Sequence, residues 1–184
     1  MTYQEEKEQT KAIAQKIAEA MGWGMEVNEN NWNPIILKGD EKLLISIVSY
    51  GTTKGRVVIK GHYGVFSAHL PYRHDKTEIT VSPTKTPEQI AKDIKSRLLP
   101  TYQKILAEAQ EAKKREDDYQ ANKKSLLVDV ATFIPSPNIK EDLIYGRDPN
   151  VTVKFLYGGD FRLVVDLPID KMKKVLTVIY GEEV

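Results

Sequence analysis

The chain has 184 residues, of which 41% are hydrophobic and 29% are charged, and its formal net charge at pH 7 is +1. This length suits one domain or two small ones, and the composition is that of a globular protein rather than a disordered one. The absence of cysteine excludes disulfides, thiolate metal sites, iron–sulfur clusters and a cysteine nucleophile. Because the net charge is small, any electrostatic partner must be met by a local patch.

The N-terminal sequence predicts a helix over residues 3–21 rather than a signal peptide. Ile13, Ile17 and Met21 repeat every four residues, and Gly22 follows as a C-cap. No apolar run approaches the roughly 20 residues that a membrane-spanning helix needs. We therefore expect a cytoplasmic protein that does not associate with membranes.

The next stretch predicts an antiparallel β-meander. Trp23 and Trp32 are expected to be core residues where the helix meets the sheet, because burial of such a large ring is strongly stabilising. Alternating side chains and intervening turn residues indicate where the strands lie. The predicted strands are Ile35–Lys38, Leu43–Tyr50, Arg56–Tyr63 and 77–82, with Val65–Leu70 expected to extend the meander.

A capped helix over residues 87–99 follows the meander. Thr86 occupies the N-cap, Pro87 the first helical position and Gln89 the third, which is the pattern of a capping box. Pro100 lacks an N–H group and is expected to end or kink this helix. One face of the helix is apolar and must be buried, namely Ile90, Ile94 and Leu98.

The helical pattern then continues as a long charged helix. A stripe of three- and four-residue steps runs through 102–134, but it is thin over 110–124, where charge surrounds the helix. The stretch 125–134 also alternates as a strand would, and we favour a helix because the stripe continues in phase. The charged stretch 110–124 is either a solvated arm between two packed ends, or 101–134 provides a surface for a protein partner or for self-association.

The C-terminal sequence predicts a β-hairpin and a last helix. Two alternating runs, Val151–Leu156 and Phe161–Leu167, flank a Gly-Gly turn. A helix is expected to begin near Pro168 and to end at Gly181.

This order of elements predicts an α+β fold: an antiparallel β-meander with flanking helices, a long charged helix, and a C-terminal β-hairpin plus helix. We expect residues 1–100 to hold the first helix, the sheet and the capped helix. Residues 101–184 then hold the long helix, the hairpin and the last helix. A boundary within 110–125 is the alternative, and the two parts can also pack as one domain.

The run ITVSPTKTPEQIAKDIKSRLLPTYQKILAEA resembles a pattern in uncharacterised proteins of bacteria and their phages or mobile elements. In those proteins an I-x-V-S strand leads into IAxDIxxRLLPxY and a long charged helix. The similarity extends from about Arg56 to Ala112. The resemblance implies a bacterial or phage setting and carries no catalytic residues across.

Three histidines, His62, His69 and His74, lie close together in the sequence, with Asp75 adjacent to the last. Such side chains can bind zinc or a catalytic metal when they converge. The odd spacing between His62 and His69 would place them on opposite faces of a continuous strand. We predict no metal site and no cofactor, and a small metal-dependent enzyme built on these histidines is our second alternative function.

The stretch from Lys54 to Lys76 is a candidate binding surface, with five basic residues, one acid and interleaved aromatic rings. Cations that meet phosphates and rings that stack on bases are typical of single-strand binders. The residues expected to bind nucleic acid are Lys54, Arg56, Lys60, Tyr63, Tyr72, Arg73 and Lys76. The alternative is that Tyr63 belongs to the core and that the cations only keep this face soluble.

No stretch carries a catalytic signature, so the sequence favours a protein that is not an enzyme. Our first hypothesis is a cytoplasmic interaction or accessory protein related to phages or mobile elements. Nucleic-acid binding through the surface at 54–76 is the first alternative.

Overall fold

The structure, a computed structural model, describes residues 3–28, 31–134, 136–147 and 150–180. The chain divides into two compact units, which we call unit 1 (Met1–Lys114) and unit 2 (Arg115–Val184). Each unit has a hydrophobic core built from its own residues. Residue 100, where sequence alone suggested a boundary, lies inside a continuous helical run.

Unit 1 contains a five-stranded antiparallel sheet. Its elements are α1 (Tyr3–Met21), β1 (Gly24–Asn28), β2 (Asn31–Lys38), β3 (Glu41–Ile47), β4 (Val57–His62), a 3₁₀ helix (Gly64–His69), β5 (Glu78–Val81), α2 (Pro87–Asp93), a π-helical segment (Ile94–Leu98) and the start of α3 (Leu99–Ala131). The strands lie in the sheet in chain order, so the predicted meander is confirmed.

α1 packs on the sheet through the stripe that the sequence predicted. Ile17 and Met21 are buried, Ile13 is partly buried against the same core, and the three recur at the spacing that keeps them on one helix face. Gly22 ends the helix with φ +70°, and its N–H donates to the carbonyl of Glu19 at 3.1 Å. This is a C-cap that glycine adopts without strain, as expected.

The sheet of unit 1 has an inner face, which is buried, and an outer face, which is partly exposed. Alternation along β3 and β4 sends every second side chain to the core. The inner-face residues of these strands are Leu43, Ile45, Val57 and Ile59, all fully buried. Residues between them, such as Leu44 and its cross-strand partner Lys60, lie on the outer face.

The predicted capping box opens α2. The backbone N–H of Gln89 donates to Thr86 Oγ1 at 3.3 Å, and the N–H of Thr86 donates to Gln89 Oε1 at 3.0 Å. The helical run does not stop at Pro100, because the π-helical segment lies just before it and α3 continues beyond it. There the N–H of Leu99 donates to the carbonyl of Ile94, which widens the helix by one residue ahead of the proline.

Unit 2 contains a four-stranded antiparallel sheet packed against the end of α3. Its further elements are β6 (Asn138–Lys140), β7 (Leu143–Gly146), β8 (Asn150–Phe155), β9 (Phe161–Asp166) and α4 (Ile169–Tyr180). The strands follow chain order. Its core consists of Leu127, Ala131, Ile134, Ile144, Val153 and Phe155.

The α+β fold and the C-terminal hairpin are confirmed, whereas β1 was not predicted and two further details of the predicted layout are wrong. Val65–Leu70 does not extend the meander, because Gly64, at φ +52°, turns the chain into a 3₁₀ helix. β6 and β7 precede the hairpin in the sheet and were not predicted, because such short strands have too few residues to show alternation. The stretch 125–134 is helical as far as Ala131.

Three further expectations concern anchors and ends. Trp23 is half-buried and packs against the core of unit 1, as expected. The side chain of Trp32 and the helix end at Gly181 lie outside the described residues. None of the described helices combines the length and the apolar composition that crossing a lipid bilayer requires.

Candidate functional site

The residues expected to bind nucleic acid lie along β4 and in the loops on either side of it. Lys54 belongs to the turn before β4, in which the N–H of Gly55 donates to the carbonyl of Val48 at 2.8 Å. Arg56 immediately precedes β4, and Lys60 lies within it on the outer face. All three cationic side chains are exposed.

Four of the five predicted cations form no ion pair with any described residue: Lys54, Arg56, Lys60 and Arg73. The fifth, Lys76, pairs with Glu78 at 2.9 Å. Lys60 lies directly opposite Glu78 in the sheet, but Glu78 is taken by Lys76. The ammonium of Lys76 is largely exposed, so this pair contributes little to stability and can rearrange.

Tyr63 is a core residue and is not available to stack on a base. Its ring packs against Tyr102 with the centroids 5.2 Å apart, and its hydroxyl hydrogen-bonds to Thr77 Oγ1 at 3.0 Å. Burial raises the pKa of Tyr63 above its usual value, and the hydrogen bond to Thr77 partly opposes that shift. Tyr63 therefore belongs to the core, which was the alternative interpretation of this residue.

Tyr72 is the exposed aromatic residue of the predicted set. It lies in the loop between the 3₁₀ helix and β5, and 96% of its accessible surface is open to solvent. Arg73, the next residue, is exposed as well. This loop therefore offers a ring and a cation side by side, which is the pairing that base and phosphate recognition uses.

The three histidines occupy different elements and do not form a metal site. His62 ends β4, His69 ends the 3₁₀ helix and His74 lies in the following loop. Among the residues that the structure describes, no group of three or more His, Cys, Asp or Glu could hold a metal ion. His74 Nδ1 donates to the carbonyl of Pro71 at 3.1 Å, which fixes the ring and leaves Nε2 for other partners.

His62 is held neutral by its surroundings. Burial lowers its pKa below the usual value of 6.5, and the positive charge of Lys42 lowers it further. Lys42 is the cross-strand partner of His62 at the edge of the outer face. At neutral pH His62 is therefore uncharged.

A cavity of about 370 Å³ lies beside β4, between the strand, the 3₁₀ helix and the loop that leads into β5. Its polar lining comprises Lys60, His62, Ser67, His74, Lys76 and Thr77. None of the described residues that line it is an Asp or a Glu. Ammonium, hydroxyl and imidazole groups therefore face a common space, an arrangement that can hold an oxyanion such as a phosphate.

A second cavity of about 260 Å³ shares His74 with the first. Arg73 and Lys104 line it, together with the carboxylates of Asp75 and Glu108. The cationic surface thus continues past His74 but is partly balanced there by acids. The binding surface that the structure offers is centred on the first cavity and runs toward Arg73.

Sequence reasoning placed Lys60 and Lys76 in the candidate surface but missed four polar residues that line the cavity with them: His62, Ser67, His74 and Thr77. The clustering of histidines in one short stretch was a usable signal, which we interpreted as a possible metal site instead. Lys104, on α3, gave no signal, because nothing in the sequence relates it to the loop after β4.

The chain matches no protein-family model, no curated protein and no solved structure.

Proposed function

We propose that this protein is not an enzyme but a binding protein, and that unit 1 binds single-stranded nucleic acid beside β4. The observation that carries the proposal is the cavity lined by Lys60 and Lys76, in which none of the described lining residues is an Asp or a Glu. Two ammonium groups and two imidazole rings meet there, an arrangement that suits a phosphate better than a positively charged ligand.

The surroundings of the cavity extend the contact to neighbouring nucleotides. Arg56, Lys60 and Arg73 form no ion pair with described residues, so neutralising phosphates would not require them to break an internal bond. Tyr72 adds an exposed ring on which an unpaired base can stack. A duplex keeps its bases stacked on one another, so this ring favours a single strand.

Affinity for nucleic acid should depend on the cations of this surface. We expect this surface to contribute about −3 to the log–log salt slope with which a fluorescein-labelled 20-nucleotide single strand binds, since four contacted phosphates each contribute about 0.7. Replacing Arg56, Lys60 and Arg73 by Ala should reduce the magnitude of the slope by about 2. Fluorescence anisotropy between ~50 and ~200 mM salt measures both values.

A matched control removes the same charge elsewhere in unit 1. Lys11, Lys16 and Lys95 are exposed and lie on α1 and in the π-helical segment. Their joint replacement by Ala should leave the slope unchanged if the cavity surface is the binding site. Absence of binding by the wild-type protein at ~50 mM salt, to both DNA and RNA strands, would rule out the proposal.

A second candidate function is association with a protein, through the segment 101–134 that the sequence singled out. A groove of about 630 Å³ runs beside the end of α3, where Leu127, Val128 and Ile139 meet the stems of Lys123 and Lys124. Val128 is 48% exposed, which is high for a valine on the packed end of a helix.

Self-association through this groove has a direct test. Light scattering at ~100 µM protein should give a dimer mass, and Val128→Glu should return the protein to a monomer. A wild-type monomer at that concentration would contradict self-association.

A further inference from the structure

The sheet of unit 2 has a second cationic surface, on the side away from its core. Ile144 and Val153 are buried against the end of α3, so the residues that alternate with them point to the other side. We call that side the outer face of unit 2. It is formed by alternate residues of β6, β7, β8 and β9.

Strand register places three cations in one row across this outer face. Lys140 lies opposite Leu143, Leu143 opposite Lys154, and Lys154 opposite Arg162. Adjacent strands are about 4.8 Å apart, so the row crosses the sheet in about 14 Å. The cations come from three different strands, at positions that the register aligns across the sheet.

Without a ligand, this row of cations destabilises the folded protein. Lys154 and Arg162 are directly opposed, and like charges in that position destabilise a sheet. None of Lys140, Lys154 and Arg162 forms an ion pair with a described residue, and all three are exposed. An anionic ligand that follows the row would supply the counter-charge that the fold does not.

The neighbouring row supplies a ring and an apolar edge. Tyr145 lies opposite Thr152, and Thr152 lies opposite Val164. Tyr145 is 39% exposed and Val164 is 55% exposed. The ring stands two residues along the strand from the cation row, a distance of about 7 Å.

We propose that this outer face is a second binding site for single-stranded nucleic acid, with the backbone along Lys140, Lys154 and Arg162. A row of cations about 14 Å long can contact several phosphates of an extended strand, and Tyr145 stacks on a base beside it. The site consists of unit 2 residues alone, and it does not depend on the cavity in unit 1.

The first test uses the full chain and a labelled 20-nucleotide single strand in ~50 mM salt. Replacing Lys140, Lys154 and Arg162 by Ala should weaken binding at least about tenfold and reduce the magnitude of the salt slope by about 2. The control replaces three exposed cations elsewhere in unit 2: Lys124, Lys171 and Lys174. Equal affinities of the two triple variants would overturn the proposal.

A single charge reversal separates binding from folding. Lys154→Glu turns the like pair with Arg162 into an opposite pair, so the melting temperature should rise. The same variant should bind the strand at least about tenfold more weakly, because it places a negative charge in the middle of the row. Undiminished affinity in a variant that is folded would overturn the proposal.

Comparison of the two triple variants also distinguishes this site from the one proposed in unit 1. If Arg56, Lys60 and Arg73 account for all of the salt dependence, the outer face of unit 2 is not a nucleic-acid site. If binding survives their replacement and is lost with Lys140, Lys154 and Arg162, the inference holds and the unit 1 proposal fails. Binding to vesicles of phosphatidylserine and phosphatidylcholine, without binding to the strand, would overturn it in favour of a membrane surface.

Discussion

Tyr102 joins two strands of the unit 1 sheet through its hydroxyl. The hydroxyl accepts a hydrogen bond from the N–H of Lys42 at 2.8 Å and donates one to the carbonyl of His62 at 3.0 Å. Its ring is fully buried over Gly61, where an added Cβ would collide with it. Glycine is therefore required at residue 61 by the close approach of a ring from α3.

Removing this hydroxyl should destabilise unit 1. Tyr102→Phe leaves the N–H of Lys42 and the carbonyl of His62 without their partner, so we expect a loss of about 1–3 kcal/mol in the free energy of unfolding. Urea denaturation measures the change. Tyr72→Phe is the matched control, because the hydroxyl of that exposed residue should contribute less than about 0.5 kcal/mol.

The same tyrosine makes stability fall at alkaline pH. Burial raises the pKa of Tyr102 from 10.0 to about 12, despite the opposing hydrogen bond from Lys42. The unfolded state therefore loses this proton at a lower pH than the folded state. The contribution of this hydroxyl to the free energy of unfolding is complete below pH 10 and declines as the pH rises toward 12.

The difference in unfolding free energy between wild type and Tyr102→Phe should accordingly shrink above pH 10. Urea denaturation at intervals from pH 9 upward would follow it, with pH 10 and about 12 as the limits of the change. A constant difference over that interval would show that the hydroxyl does not titrate as its burial requires.

At the scale of the element, local sequence determines where α2 begins but not how the helix continues. Thr86, Pro87 and Gln89 lie within four consecutive residues, so their cap forms from interactions that any chain with this sequence can make. The π-helical segment before Pro100 was not foreseen, because a proline inside a helical pattern more often ends or kinks the helix. Burial of Leu98 and Leu99 on either side of the transition favours continuation of the helix through it.

The capping box should contribute measurably to stability. Thr86→Ala removes the acceptor of the Gln89 N–H, and we expect unfolding to become about 1 kcal/mol easier. Thr86→Ser retains a hydroxyl and should lose much less. Thermal or urea unfolding distinguishes these variants, and equal stability of Ala and Ser would contradict the role of the cap.

At the scale of the whole molecule, the two units have separate cores. The core of unit 1 contains α1, the inner face of its sheet and Tyr102, whereas that of unit 2 contains the end of α3 and residues of β7 and β8. No residue belongs to both cores among the described ranges. Packing defects should therefore act mainly on the unit in which they are made.

Core truncations provide the test. Ile144→Ala leaves a cavity in unit 2 and should cost about 2–5 kcal/mol there. Hydrogen exchange should accelerate in β7 and β8 while β3 and β4 keep their protection. Ile59→Ala, a fully buried residue of β4, is the reciprocal control and should show the opposite pattern. Uniform acceleration throughout the chain would mean that the two units unfold together.

Much of the architecture was predictable from sequence alone because its causes are local. The stripe of α1, the cap of α2 and the Gly-Gly turn of the hairpin each depend on residues a few positions apart. Strands β2 to β5 of the meander were recognisable because alternation and turn residues occur together. The sequence also identified Lys60, Lys76 and Tyr72 as candidates, since basic and aromatic residues cluster there.

Only the tertiary structure decided which side chains meet. Tyr63 is buried because Tyr102, 39 residues further along, packs on it. The cavity needs the fold to bring Lys60 beside His74, and the cation row depends on the register that sets Lys154 opposite Arg162. Shifting a strand by one residue would turn that row toward the core, so contacts between strands and not spacing along the chain determine it.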